Sequence, residues 1–243
     1  MDCAPKRPFE EYLAVATDYD GTLAHDGVVD AATLDALRRL RDADLSLLMV
    51  TGRELPSLAS VFPHLNLFDR VVAENGALLF DPSARTTQWL APSPPRALLQ
   101  ALEARGVPYS AGRSIVATVE PHEHAVLSAI HDLGLEWHVI FNKGAVMALP
   151  SGITKATGLK PALMELEIPA DRTIGIGDAE NDHAFLGMCG LAVAVANALP
   201  ALKASADIVT VGRQGAGFVE LAECLLSRKS HLKRNGSYFT TSY

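Results

Sequence analysis

Two aspartates, Asp18 and Asp20, are separated by one residue and follow Thr17, which comes directly after the apolar run at residues 13–16. That run predicts a buried strand, and residues two apart along a strand point to the same side. The two carboxylates can therefore converge, and close carboxylates repel each other unless a cation or a proton lies between them. In open α/β sheets this edge is where ligands bind. The competing interpretation is a turn rich in Asp that caps the next helix.

A second acidic segment, with Asp178 and Asp182, follows another apolar run at residues 173–176. An acidic helix N-terminus, which the helix dipole favours, would explain it by itself but would not need a second strand-end carboxylate. Four carboxylates at one sheet edge would be costly without a compensating cation or proton.

The first half of the chain predicts the elements that position these groups. Strands over residues 13–16 and 45–50 flank a helix to about residue 43, with Asp30 as a plausible N-cap. Strand, helix and strand with short turns indicate a parallel sheet, so Thr51 lies at the same edge as Asp18. Considered without Asp18, Thr51 would be interpreted as the N-cap of the following helix. A helix over residues 54–62 follows, and residues 70–80 predict two strands around a turn at Asn75 and Gly76.

The pattern changes after residue 80. Residues 81–95 contain four prolines and little periodicity, which predicts a linker and a domain boundary. Beyond it an αββαββ order indicates an α+β domain inserted into an α/β domain. Its helices are predicted over residues 96–105 and 121–133, and its strands over 109–111, 114–119, 136–141 and 145–149. Arg113 and Lys143 lie in its turns; most such residues are merely solvated, but these could meet an anionic substrate.

The α/β pattern returns at Lys155, which opens a helix to about residue 166. Further strands are predicted over residues 173–176, 191–195 and 207–211, with a closing helix over 218–226. Residues 227–243 are polar without a helical period and predict a tail or linker. The expected division is a core of residues 1–82 and 150–229, an insert of residues 83–149, and a tail of residues 230–243.

Four segments, in order, resemble the motifs of the haloacid dehalogenase (HAD) superfamily. They are Asp18-Tyr19-Asp20-Gly21-Thr22-Leu23, Val50-Thr51-Gly52-Arg53, Lys155 after the insert, and Gly177-Asp178-Ala179-Glu180-Asn181-Asp182. More narrowly, the chain resembles the type IIB members, which are Cof-like, sucrose-phosphatase-like or similar to archaeal phosphoglycolate phosphatases. The Glu74-Asn75-Gly76-Ala77 segment is similar to a recurrent segment of that subfamily. The resemblance covers roughly residues 12–226 and implies a Rossmann-like parallel core with an inserted αββαββ cap domain.

The resemblance also implies a role for each motif. Asp18 is expected to attack phosphorus and form an aspartyl-phosphate, while Asp20 protonates the leaving group and then deprotonates water. Mg²⁺ is expected on Asp18, the backbone carbonyl of Asp20 and Asp178; Asp182 belongs to the same metal site and orients water or Lys155. Thr51 and Lys155 are counted with the catalytic residues because they stabilise charge. Expected substrate contacts are Thr51, Gly52, Arg53, Lys155, Asn181, Arg113 and Lys143.

Composition limits the function further. A net charge of -7 and a pI of about 5.6 argue against a nucleic-acid or anionic-membrane surface. The three cysteines are far apart, and neither a signal peptide nor a membrane-length apolar run is visible, which favours the cytoplasm. The resemblance implies a Mg²⁺-dependent phosphatase of a small phosphorylated metabolite, either a sugar phosphate or a phosphoglycolate-like compound, and a monomer or homodimer is expected. The alternatives are a phosphomutase of the same superfamily and a non-catalytic module fused to a partner.

Overall fold

The structure is a computed structural model that describes residues 7–235, with side chains through residue 227. In chain order its strands are β1 Ala14–Thr17, β2 Ser46–Val50, β3 Arg70–Ala73, β4 Leu78–Asp81, β5 Thr86–Trp89, β6 Ser110–Ala111, β7 Val116–Val119, β8 Trp137–Asn142, β9 Ala145–Pro150, β10 Thr173–Gly177, β11 Leu191–Ala194 and β12 Ile208–Val209. The helices are α1 Ala31–Asp42, α2 Leu55–Val61, α3 Arg96–Ala104, α4 Glu123–Asp132, α5 Lys155–Glu165, α6 His183–Met188, α7 Pro200–Ser205 and α8 Gln214–Asn235.

The larger sheet has eight strands in the order β12-β11-β10-β1-β2-β3-β4-β5. Pairing is parallel from β12 to β3, while β4 and β5 are antiparallel additions. Thr17 at the end of β1 is level with Met49 of β2 and Ile176 of β10. Three neighbouring strands therefore end at one edge, which confirms the predicted α/β class. Helix α1 packs on α8 and α5 on α6, and both α1 and α5 contact β2.

Residues 96–150 form a separate four-stranded antiparallel sheet, in the order β6-β7-β9-β8, and the two helices α3 and α4. We call residues 96–150 the small-sheet unit. Its helices bury their apolar stripes on the sheet, with Leu98, Leu102 and Val126 among the buried residues. A second buried cluster joins Ala77, next to the large sheet, to Met147 of β9 and other residues of the unit. The predicted αββαββ order is therefore confirmed.

Local sequence signals predicted the bounds of most helices and strands to within one or two residues. Asp30 caps α1 as expected, because its Oδ1 accepts a hydrogen bond of 2.7 Å from the backbone N–H of Thr33. The predicted linker is wrong where it contains β5, which pairs with β4. All four residues of β5 are exposed, so no apolar alternation marked the strand. The large sheet thus extends to Trp89, beyond the boundary expected at residue 82.

The C-terminal part differs from the expectation in two further ways. Helix α8 begins at Gln214 and continues to Asn235, so the predicted tail is wrong over residues 227–235. The remaining predicted tail, residues 236–243, lies outside the described residues. Helix α7 was not predicted, because its six residues are too few to display a helical period. None of the helices in the described range is long and apolar enough to cross a membrane.

Candidate active site

Lys155 is fully buried between two carboxylates. Its Nζ lies 2.5 Å from Asp18 Oδ1 and 2.6 Å from Asp182 Oδ1. The start of α5 is fixed by a capping box, in which Thr154 accepts from Thr157 N and Thr157 Oγ1 accepts from Thr154 N. Burial alone would lower the pKa of Lys155, but the two carboxylates outweigh it and raise the pKa. The lysine is therefore held as a fixed ammonium group at the end of β1.

Carboxylate oxygens of Asp18, Asp178 and Asp182 all lie within 4.8 Å of one another, and we call them the three-carboxylate cluster. Both oxygens of Asp182 are engaged, Oδ1 by Lys155 and Oδ2 by the backbone N–H groups of Asp178 and Ala179, at 2.7 and 2.9 Å. Asp182 therefore positions Lys155 and the turn after β10. This arrangement agrees with its expected orienting role more than with direct metal ligation.

The environment of Asp178 fits a cation. Burial raises the pKa of Asp18 well above its usual range, with only partial relief from Lys155, and burial also raises the pKa of Asp178. The Nζ of Lys143 contacts Asp178 Oδ2, so a positive group already lies at this carboxylate. The three carboxylates outnumber the two lysines that contact them, Lys143 and Lys155, and hard oxygen donors with an excess of negative charge are the setting that Mg²⁺ occupies in proteins. The residues present therefore fit the expected metal.

Gly21 is what allows the loop after β1 to approach Asp178. A Cβ built on Gly21 would lie 2.2 Å from Asp178 Oδ2, and the residue has a φ of +83°. Only glycine combines that conformation with that contact at no steric cost. Thr22 Oγ1 donates to Asp178 Oδ1 at 3.3 Å in the same loop. The turn of the first motif is thus built around the aspartate of the fourth.

Among the described residues, Asp20 is not a member of the three-carboxylate cluster. Arg53 binds it through two hydrogen bonds, Nε to Oδ2 at 2.6 Å and Nη2 to Oδ1 at 2.7 Å. These bonds to Asp20 raise the pKa of Arg53. Both side chains line a cavity of about 440 Å³. Arg53, predicted as a substrate contact, therefore holds the predicted acid and base toward that cavity.

Thr51 and Gly52 continue from β2 at the same edge. Thr51 is buried, and its Oγ1 accepts from the backbone N–H of Arg53 at 3.1 Å. A Cβ on Gly52 would lie 3.6 Å from Asn181 Nδ2 and 3.3 Å from the sulfur of Met147. The structure therefore brings the second motif against Asn181 of the fourth and against the small-sheet unit.

The two predicted basic contacts of the small-sheet unit have different fates. Lys143, in the turn between β8 and β9, reaches Asp178, and its backbone N–H donates to Glu180 Oε2 at 3.2 Å. The guanidinium of Arg113 instead lies over the ring of Trp89, with 5.1 Å between its Cζ and the ring centroid. Lys143 is thus at the site, whereas the side chain of Arg113 packs on the exposed strand β5.

A model of the haloacid dehalogenase-like hydrolase family matches residues 15–113 and 115–220. The chain belongs to this family. "Phosphoglycolate phosphatase 2" of Saccharolobus solfataricus is 29% identical to this hydrolase over 223 residues, covering 88% of this chain and 93% of the relative. A "Phosphoglycolate phosphatase" of Natronomonas pharaonis is 29% identical over 218 residues, covering 85% and 94%.

Solved structures share the fold of this hydrolase. A haloacid dehalogenase-like hydrolase from Bacteroides thetaiotaomicron matches with a TM-score of 0.74 at 18% identity, covering 88% of this chain and 99% of that one. A HAD subclass IIB sugar phosphatase matches with a TM-score of 0.69 at 20% identity, covering 92% and 98%. At these identities the likeness concerns the fold, and it includes both sheets because nearly the whole of each chain is covered.

Sequence reasoning missed several groups at the site of this hydrolase. Asn197, after β11, donates to Gly21 O at 2.8 Å and to Asp178 Oδ2 at 3.3 Å, and its Oδ1 accepts from Gln214 N at 2.7 Å. Its position after a strand of the same parallel sheet was the available signal. Glu74 and Asn75 were quoted as part of a recurrent segment but were given no role, since a plain hairpin explained their shape.

Proposed function

We propose that this hydrolase is a Mg²⁺-dependent phosphatase that hydrolyses a phosphomonoester of a small metabolite through an aspartyl-phosphate on Asp18. The observation that carries the proposal is the buried Asp18 carboxylate at a strand end, held by the ammonium of Lys155 beside the acidic residue Asp178. The names of the two relatives and the fold shared with a sugar phosphatase support the same class of reaction.

In the first step an oxygen of Asp18 attacks phosphorus and the bond from phosphorus to the leaving oxygen breaks. Lys155 orients the attacking carboxylate through Oδ1. Asp20, held toward the cavity by Arg53, gives its proton to the leaving alkoxide. In the second step Asp20 takes a proton from water, the water oxygen attacks phosphorus, and orthophosphate leaves Asp18. Splitting the reaction this way replaces one difficult displacement with two easier ones.

The surrounding groups stabilise charge on the transferred phosphoryl group. Mg²⁺ would be held by Asp18, Asp178 and the backbone carbonyl of Asp20, and when bound it supplies positive charge to the phosphoryl oxygens. Lys155 contributes a second positive charge that is already in place and buried. Thr51 and the N–H groups around Gly52 lie at the same sheet edge, where fixed donors need no reorganisation during the reaction.

The small-sheet unit is proposed to act as a cap over this site. Lys143 of this unit lines the same cavity as Asp20 and Arg53. A cavity of about 440 Å³ accommodates a leaving group of sugar size as well as a glycolate. The substrate is accordingly a sugar phosphate or a phosphoglycolate-like compound, and the cap selects among them.

The proposal is tested with a panel of phosphorylated metabolites, assayed for released orthophosphate with Mg²⁺ and with excess EDTA. Asp18→Asn should abolish release and the acid-stable phosphoenzyme together, because an amide is a poor nucleophile. Asp44→Asn, in the exposed turn after α1, is the matched control and should retain full activity. Turnover by Asp18→Asn near the wild-type rate would exclude the covalent mechanism. Isomerised sugar phosphate without released orthophosphate would indicate the mutase instead.

A further inference from the structure

Two buried side-chain amides, those of Asn75 and Asn181, bond to each other at this site. Asn181 Nδ2 donates to Asn75 Oδ1 at 3.0 Å. Asn181 is 7% exposed and Asn75 is 0% exposed. We call them the amide pair. Asn75 comes from the turn between β3 and β4, whereas Asn181 comes from the turn after β10. The pair therefore links two loops of the sheet edge that are distant in the sequence.

The amide pair leaves polar atoms without partners. Within the part of the chain that the structure describes, neither Asn75 Nδ2 nor Asn181 Oδ1 has a hydrogen-bond partner. Turning both amides by 180° keeps their mutual bond and still leaves one donor group and one acceptor. An unsatisfied buried polar group is costly, so two such atoms in one pair require an explanation. A bound ligand that supplies the missing partners is such an explanation.

The location of the pair indicates which ligand group it would meet. The backbone N–H of Asn75 donates to Thr51 O at 3.0 Å, and that of Glu74 donates to Arg53 O at 2.9 Å. A Cβ on Gly52 would lie 3.6 Å from Asn181 Nδ2 and 3.9 Å from Asn75 Oδ1. The amide pair thus lies directly against the segment after β2 that is assigned to the phosphoryl group.

The backbone that presents Asn75 is unusual. Glu74, Asn75 and Gly76 have consecutive positive φ values of 47°, 56° and 109°. Residues other than glycine rarely adopt positive φ, and asparagine is among those that tolerate it best. Strained backbone of this kind is concentrated at functional sites, where the surrounding structure maintains it. The conformation is compatible with asparagine at residue 75, but it does not explain why the Nδ2 group of that residue has no hydrogen-bond partner among the described residues.

We propose that Asn75 is a substrate-binding residue that works with Asn181 as a pair of hydrogen-bond donors to the oxygen atoms of the transferred phosphoryl group. Asn75 Nδ2 carries two free N–H groups, and Asn181 Nδ2 has a second N–H beside the one given to Asn75. Their mutual bond fixes the planes of both amides before the ligand arrives. Asn181 Oδ1 is then available to a hydroxyl of the same ligand or to water. This inference rests on the proposed function.

Two substitutions separate a donor from a structural link. Asn75→Gly keeps the left-handed backbone and removes the amide. Asn75→Asp keeps the oxygen that accepts from Asn181 and replaces the donor by a carboxylate. Asp44→Gly is the control, since Asp44 has a φ of 60° in an exposed turn. Calorimetry with orthophosphate in the presence of Mg²⁺ measures binding, and KM and kcat are measured with the best metabolite and with an aryl phosphate.

We expect Asn75→Gly to weaken orthophosphate binding about ten- to a hundredfold, as for the loss of a hydrogen bond to a charged group. Because the phosphoryl group is common to all substrates, kcat/KM should fall by the same factor for the metabolite and the aryl phosphate. Asn75→Asp should bind orthophosphate more weakly still, because like charges repel. Asp44→Gly should match the wild type.

Three results would overturn the inference while leaving the phosphatase in place. They are unchanged orthophosphate affinity in Asn75→Gly, wild-type behaviour of Asn75→Asp, and a loss confined to the metabolite. The last would assign the amide pair to the leaving group. A wild-type protein that releases no orthophosphate from any ester would instead refute the proposed function, and the inference with it.

Discussion

Replacing Lys155 by methionine should destabilise the metal-free protein strongly, because methionine keeps the length of the side chain but removes its charge. The ammonium is fully buried, and the side chains of Asp18 and Asp182 that it contacts are 5% and 0% exposed. Removing one partner of a buried ion pair costs about 3–5 kcal/mol, since the other charge remains buried without compensation. Asp182 keeps two backbone N–H donors, so the loss falls mainly on Asp18.

The assay is urea unfolding of the wild type and the variant in EDTA, together with the melting temperature. A loss of about 3–5 kcal/mol corresponds to a fall of about 6–20 °C for a protein of this size. The deficit should shrink as the pH is lowered. Without the lysine the pKa of Asp18 rises further, so the folded variant takes up a proton that the unfolded chain does not hold.

Two comparisons make this prediction refutable. Lys160→Met, on the exposed side of the same helix, should change the unfolding free energy by less than about 0.5 kcal/mol. Adding Asp182→Asn to Lys155→Met should cost less than the sum of the two single substitutions, because it removes a charge that has already lost its lysine partner. A loss below about 1 kcal/mol for Lys155→Met, or additive costs in the double variant, would refute the ion-pair reasoning.

Two further predictions concern the three-carboxylate cluster. Gly21→Ala should weaken Mg²⁺ binding, measured by calorimetry, because its methyl group would displace Asp178. Gly152→Ala is the control: its φ is +86° and nothing lies within 4 Å of the new Cβ, so it carries similar backbone strain without the clash. Equal Mg²⁺ affinities in the two variants would contradict the prediction. Burial raises the folded-state pKa of Asp178. The contribution of Asp178 to the stability of the metal-free wild type should therefore decline as the pH rises above about 4. The melting temperature of Asp178→Asn relative to wild type should accordingly increase with pH, and a difference that decreases with pH would count against this reasoning.

Much of the architecture could be predicted because its signals are local. The apolar runs before Asp18, Thr51 and Asp178 are buried strands, and parallel pairing brings their ends together by geometry alone. The capping role of Asp30 is likewise visible in a few residues. Strand β5 could not be predicted because it is stabilised by pairing with β4 and buries none of its side chains.

The detailed partners in the site depend on contacts between distant segments, which periodicity does not encode. Lys143 was expected to face a substrate, and the structure places its ammonium on Asp178. Arg113 was expected to do the same, but the ring of Trp89, in the strand that was missed, attracts its guanidinium. The sequence also gave no reason to connect Arg53 with Asp20, because that ion pair spans the loops after two different strands.

The carboxylate of Glu74 joins the large sheet to the small-sheet unit through main-chain groups. It accepts from the backbone N–H groups of Arg113 and Ser114, at 3.0 and 2.6 Å, and is almost completely buried. Every amino acid except proline offers that N–H. Evolution or a laboratory library can therefore exchange the side chain at residue 113 while the attachment point stays intact. A junction of this kind allows a family to diversify what it recognises without redesigning how its two parts are held together.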